Sequence, residues 1–171
     1  MLHITFVCTG NICRSPMGEV ILREHIHRAE LEHMVRVSSC GTGGWHIGDP
    51  ADHRSVTALR QAGYDGSAHR AAQLSSDHLS ADLIVALDRG HREELYAAGA
   101  HPDSVRLLLS FVPNIPTLDT IPADQLSEDI LAGDVPDPYY GDESDFALAR
   151  DLIESAMPGM MSWVHTHQGD Q

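Results

Sequence analysis

The stretch Ile4-Thr5-Phe6-Val7-Cys8-Thr9-Gly10-Asn11-Ile12-Cys13-Arg14-Ser15-Pro16 runs from apolar residues into a cysteine, turns through Gly10 and Asn11, and closes on an arginine. The residues before Cys8 have the nearly continuous apolar character of a strand buried on both faces. Ser15 is predicted to cap a helix with Pro16 at its first position: a serine hydroxyl satisfies an orphan N–H there, and proline lacks the N–H that a helix start leaves unpaired. A strand, a tight turn and a helix start in that order put Cys8 at the carboxyl end of a strand, where open α/β sheets bind ligands.

The turn is chemically a thiol in an anion cradle. Attack by sulfur needs the thiolate, and an ordinary cysteine, with a pKa near ~8.5, is mostly protonated at neutral pH. A helix N-terminus, inward backbone N–H groups and a guanidinium all favour negative charge at one point, and thiolates so placed fall to roughly 3.5–7.5. The same cradle suits a tetrahedral dianion, whose equatorial oxygens meet the N–H groups and Arg14 while the sulfur lies below the central atom. Gly10 is predicted to supply the positive φ of a tight nest, with Asn11 tolerating it unusually well. Taken singly, Cys8 reads as a packing cysteine and Arg14 as a surface charge; their pairing across Gly10-Asn11, with Ser15-Pro16 behind, favours the cradle. A phosphate-binding loop of the nucleotide type is excluded, because no lysine follows the turn.

Outward from this turn, short apolar runs at 2–7, 35–39, 83–87 and 105–109 alternate with segments of helical period. Helices are predicted from Pro16 to about Ala29, over 51–61, over 89–98, and from about Asp145 towards Trp163 with a kink at Pro158. Strands alternating with helices give a single-domain, doubly wound α/β fold: four parallel strands, helices on both faces, and the phosphate-binding loop after the first strand. The stretch 110–136 is read as one long irregular loop.

With 171 residues the chain fits one domain, and its net charge of −14 argues against a nonspecific nucleic-acid binder, which needs a basic face. No run approaches the ~20 apolar residues of a membrane span, and no secretory leader is evident, so a cytoplasmic protein with no membrane partner is expected. Three cysteines, two of them in one turn, read as thiols in a reducing compartment rather than as a disulfide framework. A zinc half-site is the plain alternative, but no second cysteine pair or histidine cluster completes it. No metal or cofactor is expected.

The turn, together with Asp137-Pro138-Tyr139-Tyr140-Gly141 near the other end, closely resembles the low-molecular-weight protein tyrosine phosphatases, and most of all their bacterial members. The similarity continues through Ser38-Ser39-Cys40-Gly41-Thr42-Gly43-Gly44-Trp45, His69-Arg70-Ala71-Ala72-Gln73 and Ala86-Leu87-Asp88-Arg89, and covers nearly the whole chain. The resemblance implies Cys8 as nucleophile, Arg14 as phosphate clamp, and Asp137 as general acid and then base. Thr9, Gly10, Asn11, Ile12, Cys13 and Ser15 would complete the phosphate loop, supported by Ser39 and His69, with Asp88 orienting Arg14. Trp45, Tyr139 and Tyr140 would wall a slot deep enough for a phenyl ring. Cys13 corresponds to a second loop cysteine able to form a reversible disulfide with the nucleophile. Phosphotyrosine proteins would be the substrates, phosphate or another oxyanion would occupy the loop, and a tyrosine kinase acting on Tyr139 and Tyr140 would be a further partner.

Two departures stand out. Cys40 occupies a place expected to hold a small residue and is read as a buried small hydrophobe. The long 110–136 stretch carries Asp134, a second candidate for the acid, but only Asp137 precedes Pro-Tyr-Tyr-Gly. Arsenate reduction on this scaffold usually needs a downstream cysteine pair; none follows Cys40, so only a version using an external thiol survives. Phosphoarginine hydrolysis is disfavoured by Ile12, where related phosphatases carry threonine. A noncatalytic phosphotyrosine-binding module would be expected to lose Cys8, Arg14 or Asp137, and all three are present.

Overall fold

The first strand, β1 (Leu2–Cys8), is buried along its whole length, as expected for a strand covered on both faces. In the computed structural model, which describes residues 1–169, it pairs in parallel with β2 (Val35–Gly41) on one side and β3 (Leu83–Ala86) on the other. The last strand, β4 (Val105–Leu107), adds in parallel to β3, giving the order β2-β1-β3-β4. The chain leaves β1 for β2 and returns across it to β3, so the order reverses beside β1, and Cys8 stands at the carboxyl end of that switch point.

Helices cover both faces. On one, Ile4 and Phe6 of β1 pack with Met17, Ile21 and Leu22 of α1 (Arg14–Arg28), Leu59 of α2 (His53–Gln61), Phe146 and Leu152 of the helix Glu143–Ser155 and Met160 of the helix Met157–His167. On the other, Val7, Cys40, Ile84 and Val105 pack under Leu79 of α3 (Ser76–Leu79) and Leu95 of α4 (Arg89–Ala97). Cys40 is fully buried there, matching its expected role as a small hydrophobe, and burial pushes its thiol up to about 12. No helix of the described residues is long and apolar enough to cross a membrane.

Three local expectations are corrected. The first helix begins at Arg14 rather than after Ser15, with Cys13 at the cap position and no side-chain cap bond, because the Ser15 hydroxyl is taken up by Cys8 and Asn11. Pro16 is therefore third in the helix, where its missing N–H still costs nothing. The stretch 110–136 is not a bare loop: it contains 3-10 turns and the short helix α5 (Glu128–Leu131), and it buries Phe111, Val112, Ile121, Ile130 and Val135. The last helix is two, α6 (Glu143–Ser155) and α7 (Met157–His167), because Pro158 at the second position of α7 starts a helix better than it continues one.

Candidate active site

The loop from Cys8 to Arg14 commits most of its carbonyl oxygens to neighbouring segments and leaves the N–H groups of its turn without protein partners among the described residues. Cys8 O accepts from Thr42 N at 2.9 Å, Thr9 O from Gly43 N at 3.0 Å, Asn11 O from His69 Nε2 at 2.8 Å and Ile12 O from Asp52 N at 2.8 Å. Cys13 O accepts from Ser55 Oγ at 3.2 Å. The N–H groups of Thr9, Gly10, Asn11, Ile12 and Cys13 have no partner among the described residues, and Thr9, Gly10, Ile12 and Cys13 line the cleft, the arrangement of an anion nest. Asn11 takes the left-handed conformation, at φ 57°, and Gly10 does not. Both residues tolerate that region, and the Asn11 side chain decides between them: its Oδ1 accepts from Ala72 N at 2.8 Å. Gly41, at the end of β2, lets the turn close over it, since a Cβ there would stand 2.6 Å from Thr9 O.

The Asn11 amide also sets the direction of the bonds beneath the sulfur. Its Nδ2 donates to Ser15 Oγ at 2.8 Å and to Ser39 Oγ at 2.9 Å, and an amide nitrogen cannot accept. Ser15 therefore keeps its own hydrogen for Cys8 Sγ, 2.8 Å away, and Ser39 donates to Glu19 Oε2. His69 donates to the loop and turns Nδ1 towards Glu19 Oε2 at 3.6 Å. Burial opposes the Glu19 carboxylate, yet His69, Ser39 and Arg23 outweigh it and hold its pKa below the ordinary range. The Cys13 side chain is buried within the loop, and that burial, with Asp52, Cys8 and Asp137 nearby, pushes its thiol up to about 12.

Arg14 is 3% exposed despite its charge. Its Nη1 donates to Asp88 Oδ2 and to Val135 O, each at 2.8 Å, and its Nη2 lies 3.6 Å from Asp137 Oδ2. One edge of the guanidinium is thus fixed while the rest faces the cleft. Burial opposes the Asp88 carboxylate, but the hydrogen bonds it accepts from the His91 N–H and from Arg14, with the Arg14 charge, hold its pKa below the ordinary range. Asp134 is committed elsewhere: it accepts from Arg89 N at 2.8 Å and from Arg89 Nη2 at 3.0 Å.

These elements enclose a cleft of about 340 Å³ with Cys8 and the loop at its floor. Ile12, Trp45, His46, Tyr139 and Tyr140 form its walls, and Asp137 stands at the edge beside Arg14. Trp45 is 75% and Tyr140 92% exposed, so neither is a core residue. The Tyr139 and Tyr140 rings meet edge to face at 4.9 Å. The structure therefore brings all the expected residues to one place, with Ser39, His69 and Asp88 behind the loop rather than in the cleft. Among the described residues no group of three His, Cys, Asp or Glu side chains has a metal-binding arrangement.

Sequence reasoning missed Glu19, His46, Arg54 and His91. Glu19 follows Ser15 by one helical turn and so shares its face, a signal available in the sequence. Arg54 chelates Asp52 through Nε and Nη2, each at 3.0 Å, donates to Gly141 O at 3.2 Å, and lies over the Tyr139 and Phe146 rings at 5.7 and 4.5 Å. It links the residue that holds Ile12 O to the tyrosine wall.

A family model described as low molecular weight phosphotyrosine protein phosphatase matches residues 3–169. Low molecular weight protein-tyrosine phosphatase A of Mycobacterium tuberculosis is 48% identical over 163 residues, covering 95% of this chain and 91% of its own. Among solved structures, a protein tyrosine phosphatase from Entamoeba histolytica, with Hepes in its active site, superposes with a TM-score of 0.82 at 27% identity over 97% of this chain and 98% of its own. The YwlE arginine phosphatase of Bacillus subtilis, a mutant with a phosphorylated active-site serine, has a TM-score of 0.77 at 26% identity, with 97% of each chain covered.

Proposed function

The chain belongs to the low-molecular-weight phosphotyrosine protein phosphatase family and is a protein-tyrosine-phosphatase, and from that premise we propose that it hydrolyses protein phosphotyrosine through a phosphocysteine formed on Cys8. One observation carries the reading: a sulfur in a loop of unpartnered backbone N–H groups, with a fixed guanidinium and a carboxyl on the same cleft.

The phosphoryl dianion binds to the nest and to the free edge of Arg14, with its phosphorus above Cys8 Sγ. Sulfur forms a bond to phosphorus as the aryl C–O–P bridge breaks at phosphorus, and Asp137, entering protonated, gives its proton to the departing phenolate oxygen. Water then attacks phosphorus as the S–P bond breaks, and the Asp137 carboxylate takes the water's proton. Phosphate leaves, and the thiolate and the acid are restored. Ser15, donating to Sγ, stabilises the thiolate both before attack and as it is expelled. Thr9, Gly10, Asn11, Ile12, Cys13 and Ser15 form the nest, Ser39 and His69 brace it, and Asp88 orients Arg14.

The aromatic walls supply specificity, since a phenyl ring fills the depth between Trp45 and Tyr139 and brings its phosphate to the floor, whereas a short phosphoserine does not. Hepes, which the Entamoeba relative holds, carries a sulfonate, an oxyanion of the expected kind. Ile12 offers an apolar wall that suits an aryl group over a guanidinium, so phosphotyrosine is favoured over phosphoarginine. Arsenate reduction would leave Asp137 and both tyrosines without a task. Tyr140 and Tyr139, standing at the rim, are open to a tyrosine kinase, and the chain acts as one domain in the cytoplasm.

The test is turnover of phosphotyrosine, phosphoserine and phosphoarginine peptides by the wild type and Cys8→Ser. Phosphotyrosine is expected to be hydrolysed fastest and Cys8→Ser to be inactive; activity surviving in Cys8→Ser overturns the mechanism, and preference for phosphoarginine overturns the specificity.

A further inference from the structure

Thr9, Asp88 and His91 come from the first loop, the residue capping α4, and the first turn of α4. Asp88 Oδ1 accepts from His91 N at 2.8 Å, and the same oxygen lies 3.1 Å from His91 Nδ1. The other ring nitrogen, Nε2, meets Thr9 Oγ1 at 2.9 Å. His91 is 2% exposed, its Nδ1 has no aligned hydrogen-bond partner, and Thr9 lines the cleft. No step of the proposed mechanism uses this ring.

The carboxylate beside Nδ1 favours the tautomer with its proton there, because a bare lone pair facing Asp88 would be repelled. In the neutral ring Nε2 is then bare, so the Thr9 hydroxyl donates to it. A hydroxyl has one hydrogen, and the oxygen presents only lone pairs to the cleft. That arrangement repels an entering anion.

We propose that His91 is a positioning residue for the oxyanion pocket: by taking a second proton as an oxyanion enters, its ring turns the Thr9 hydroxyl into a donor to that anion. Nε2–H then donates to Thr9 Oγ1, and the Thr9 hydrogen is released towards the cleft. One proton is taken up from solvent and no other bond forms or breaks. Burial and Arg14 oppose the second proton and hold the ring below its ordinary pKa, while Asp88, Glu94 and Asp137 favour it. An arriving dianion adds to the favourable side, so the ring is neutral in the open site and cationic in the loaded one. The inference rests on the reading of the Cys8 loop as an anion site and extends it to a residue behind that loop.

Sulfate, a tetrahedral dianion that does not titrate in the range used, serves as the probe. Its inhibition constant is measured against an aryl phosphate for wild type, Thr9→Ser, Thr9→Val, His91→Asn and the Thr9→Val/His91→Asn double variant between about pH 5 and pH 8. Coupled uptake weakens sulfate binding as pH rises, by up to about tenfold per unit for one full proton. Other groups in the site contribute a dependence common to all variants, so the difference in slope is what is read. Wild type and Thr9→Ser are expected to share the steeper slope, Thr9→Val and His91→Asn a shallower one, with the double variant no shallower than either single. Ring NMR of the wild type is expected to show His91 gaining a proton on sulfate addition. Equal slopes in wild type and Thr9→Val, or a His91 ring that stays neutral when sulfate binds, overturn the proposal. If His91→Asn does not fold, the two Thr9 variants and the ring signal decide the matter. Either failure leaves turnover by Cys8 untouched, whereas phosphotyrosine turnover surviving in Cys8→Ser overturns the phosphatase mechanism without altering the sulfate slopes.

Discussion

The two halves of the cleft are held very differently. On the phosphate side, the carbonyls of five loop residues have partners, Asn11 is fully buried with three side-chain hydrogen bonds, and Arg14 is fixed at one edge. On the ring side, Asp137 has a 46% exposed side chain and Tyr140 projects into solvent. The turn carrying them has few ties: Tyr139 N to Asp137 Oδ1 at 3.1 Å, Gly141 N to Pro138 O at 2.9 Å, and Arg54. Charge developing on phosphorus rewards donors that need no reorganisation, whereas an aromatic ring on a variable peptide rewards walls that can adjust. The anion half is built to be rigid and the ring half to be loosely sprung.

The largest effect that tests this division is at Asp137. If the ring half contributes only the acid to the chemistry, Asp137→Asn lowers kcat by roughly 10²–10⁴-fold for an alkyl-substituted phenyl phosphate and much less for a nitrophenyl phosphate, whose leaving group needs little help. Stability is expected to stay within about 0.5 kcal/mol of wild type, since the side chain is half exposed. A uniform loss across leaving groups would break the assignment, and a crippled Asp134→Asn beside an unaffected Asp137→Asn would move it.

The reverse pattern is expected at Asn11. Asn11→Ala strips three hydrogen bonds, leaves the half-buried Ala72 N–H without its partner and places a Cβ-bearing residue without a compensating side chain at φ 57°. A loss of roughly 2–4 kcal/mol in denaturant unfolding is expected, with a large fall in turnover. Asn11→Gly keeps the backbone angle and is expected to recover about 1 kcal/mol of it, though not the activity. If Asn11→Ala unfolds like wild type, the Asn11 side chain does not hold the loop rigid.

A smaller and pH-dependent effect is expected at Glu19. Its folded pKa is depressed, so its carboxylate adds stability that is fully present above the unfolded value and is lost as pH falls through the folded one. Glu19→Gln is therefore expected to be less stable than wild type by about 1–2 kcal/mol near neutrality, with the two unfolding curves converging in acid below about pH 4. Curves that stay parallel would show that the carboxylate matters through packing alone.

The same division explains what the sequence made legible. β1 ending at Cys8 could be read because a buried parallel strand is continuously apolar, and the paired tyrosines could be placed at a rim because two adjacent rings before a glycine cannot both be core. Which of Gly10 and Asn11 takes the positive φ could not be read, since both tolerate it and the decision belongs to Ala72, 61 positions away. The start of α1 was misplaced for a related reason: Ser15 is a good cap by local chemistry, but its hydroxyl is claimed by the sulfur and by Asn11. In 110–136 the buried residues are scattered without period, so a packed segment reads as a loop. Arg54 and His91 look ordinary because nothing local distinguishes a brace from a surface charge, whereas Glu19 betrays itself only by its helical spacing from Ser15.

Arg54 is where the two halves meet, and it carries the smallest expected effect. Its guanidinium lies over Tyr139 while it grips Asp52, whose N–H holds Ile12 O, so it joins the sprung wall to the rigid loop. A partly exposed cation–π contact is worth about 0.5–1 kcal/mol. Arg54→Ala is thus expected to lower stability by about 1 kcal/mol, and to raise KM for phosphotyrosine peptides roughly threefold to tenfold while kcat changes little, because wall and phosphate loop are uncoupled but the loop keeps its other bonds. Arg54→Lys retains a charge but neither the planar fork nor the stack, and is expected to resemble alanine more than arginine. A fall in kcat with KM unchanged would place Arg54 on the phosphate side and erase the boundary drawn between the two halves.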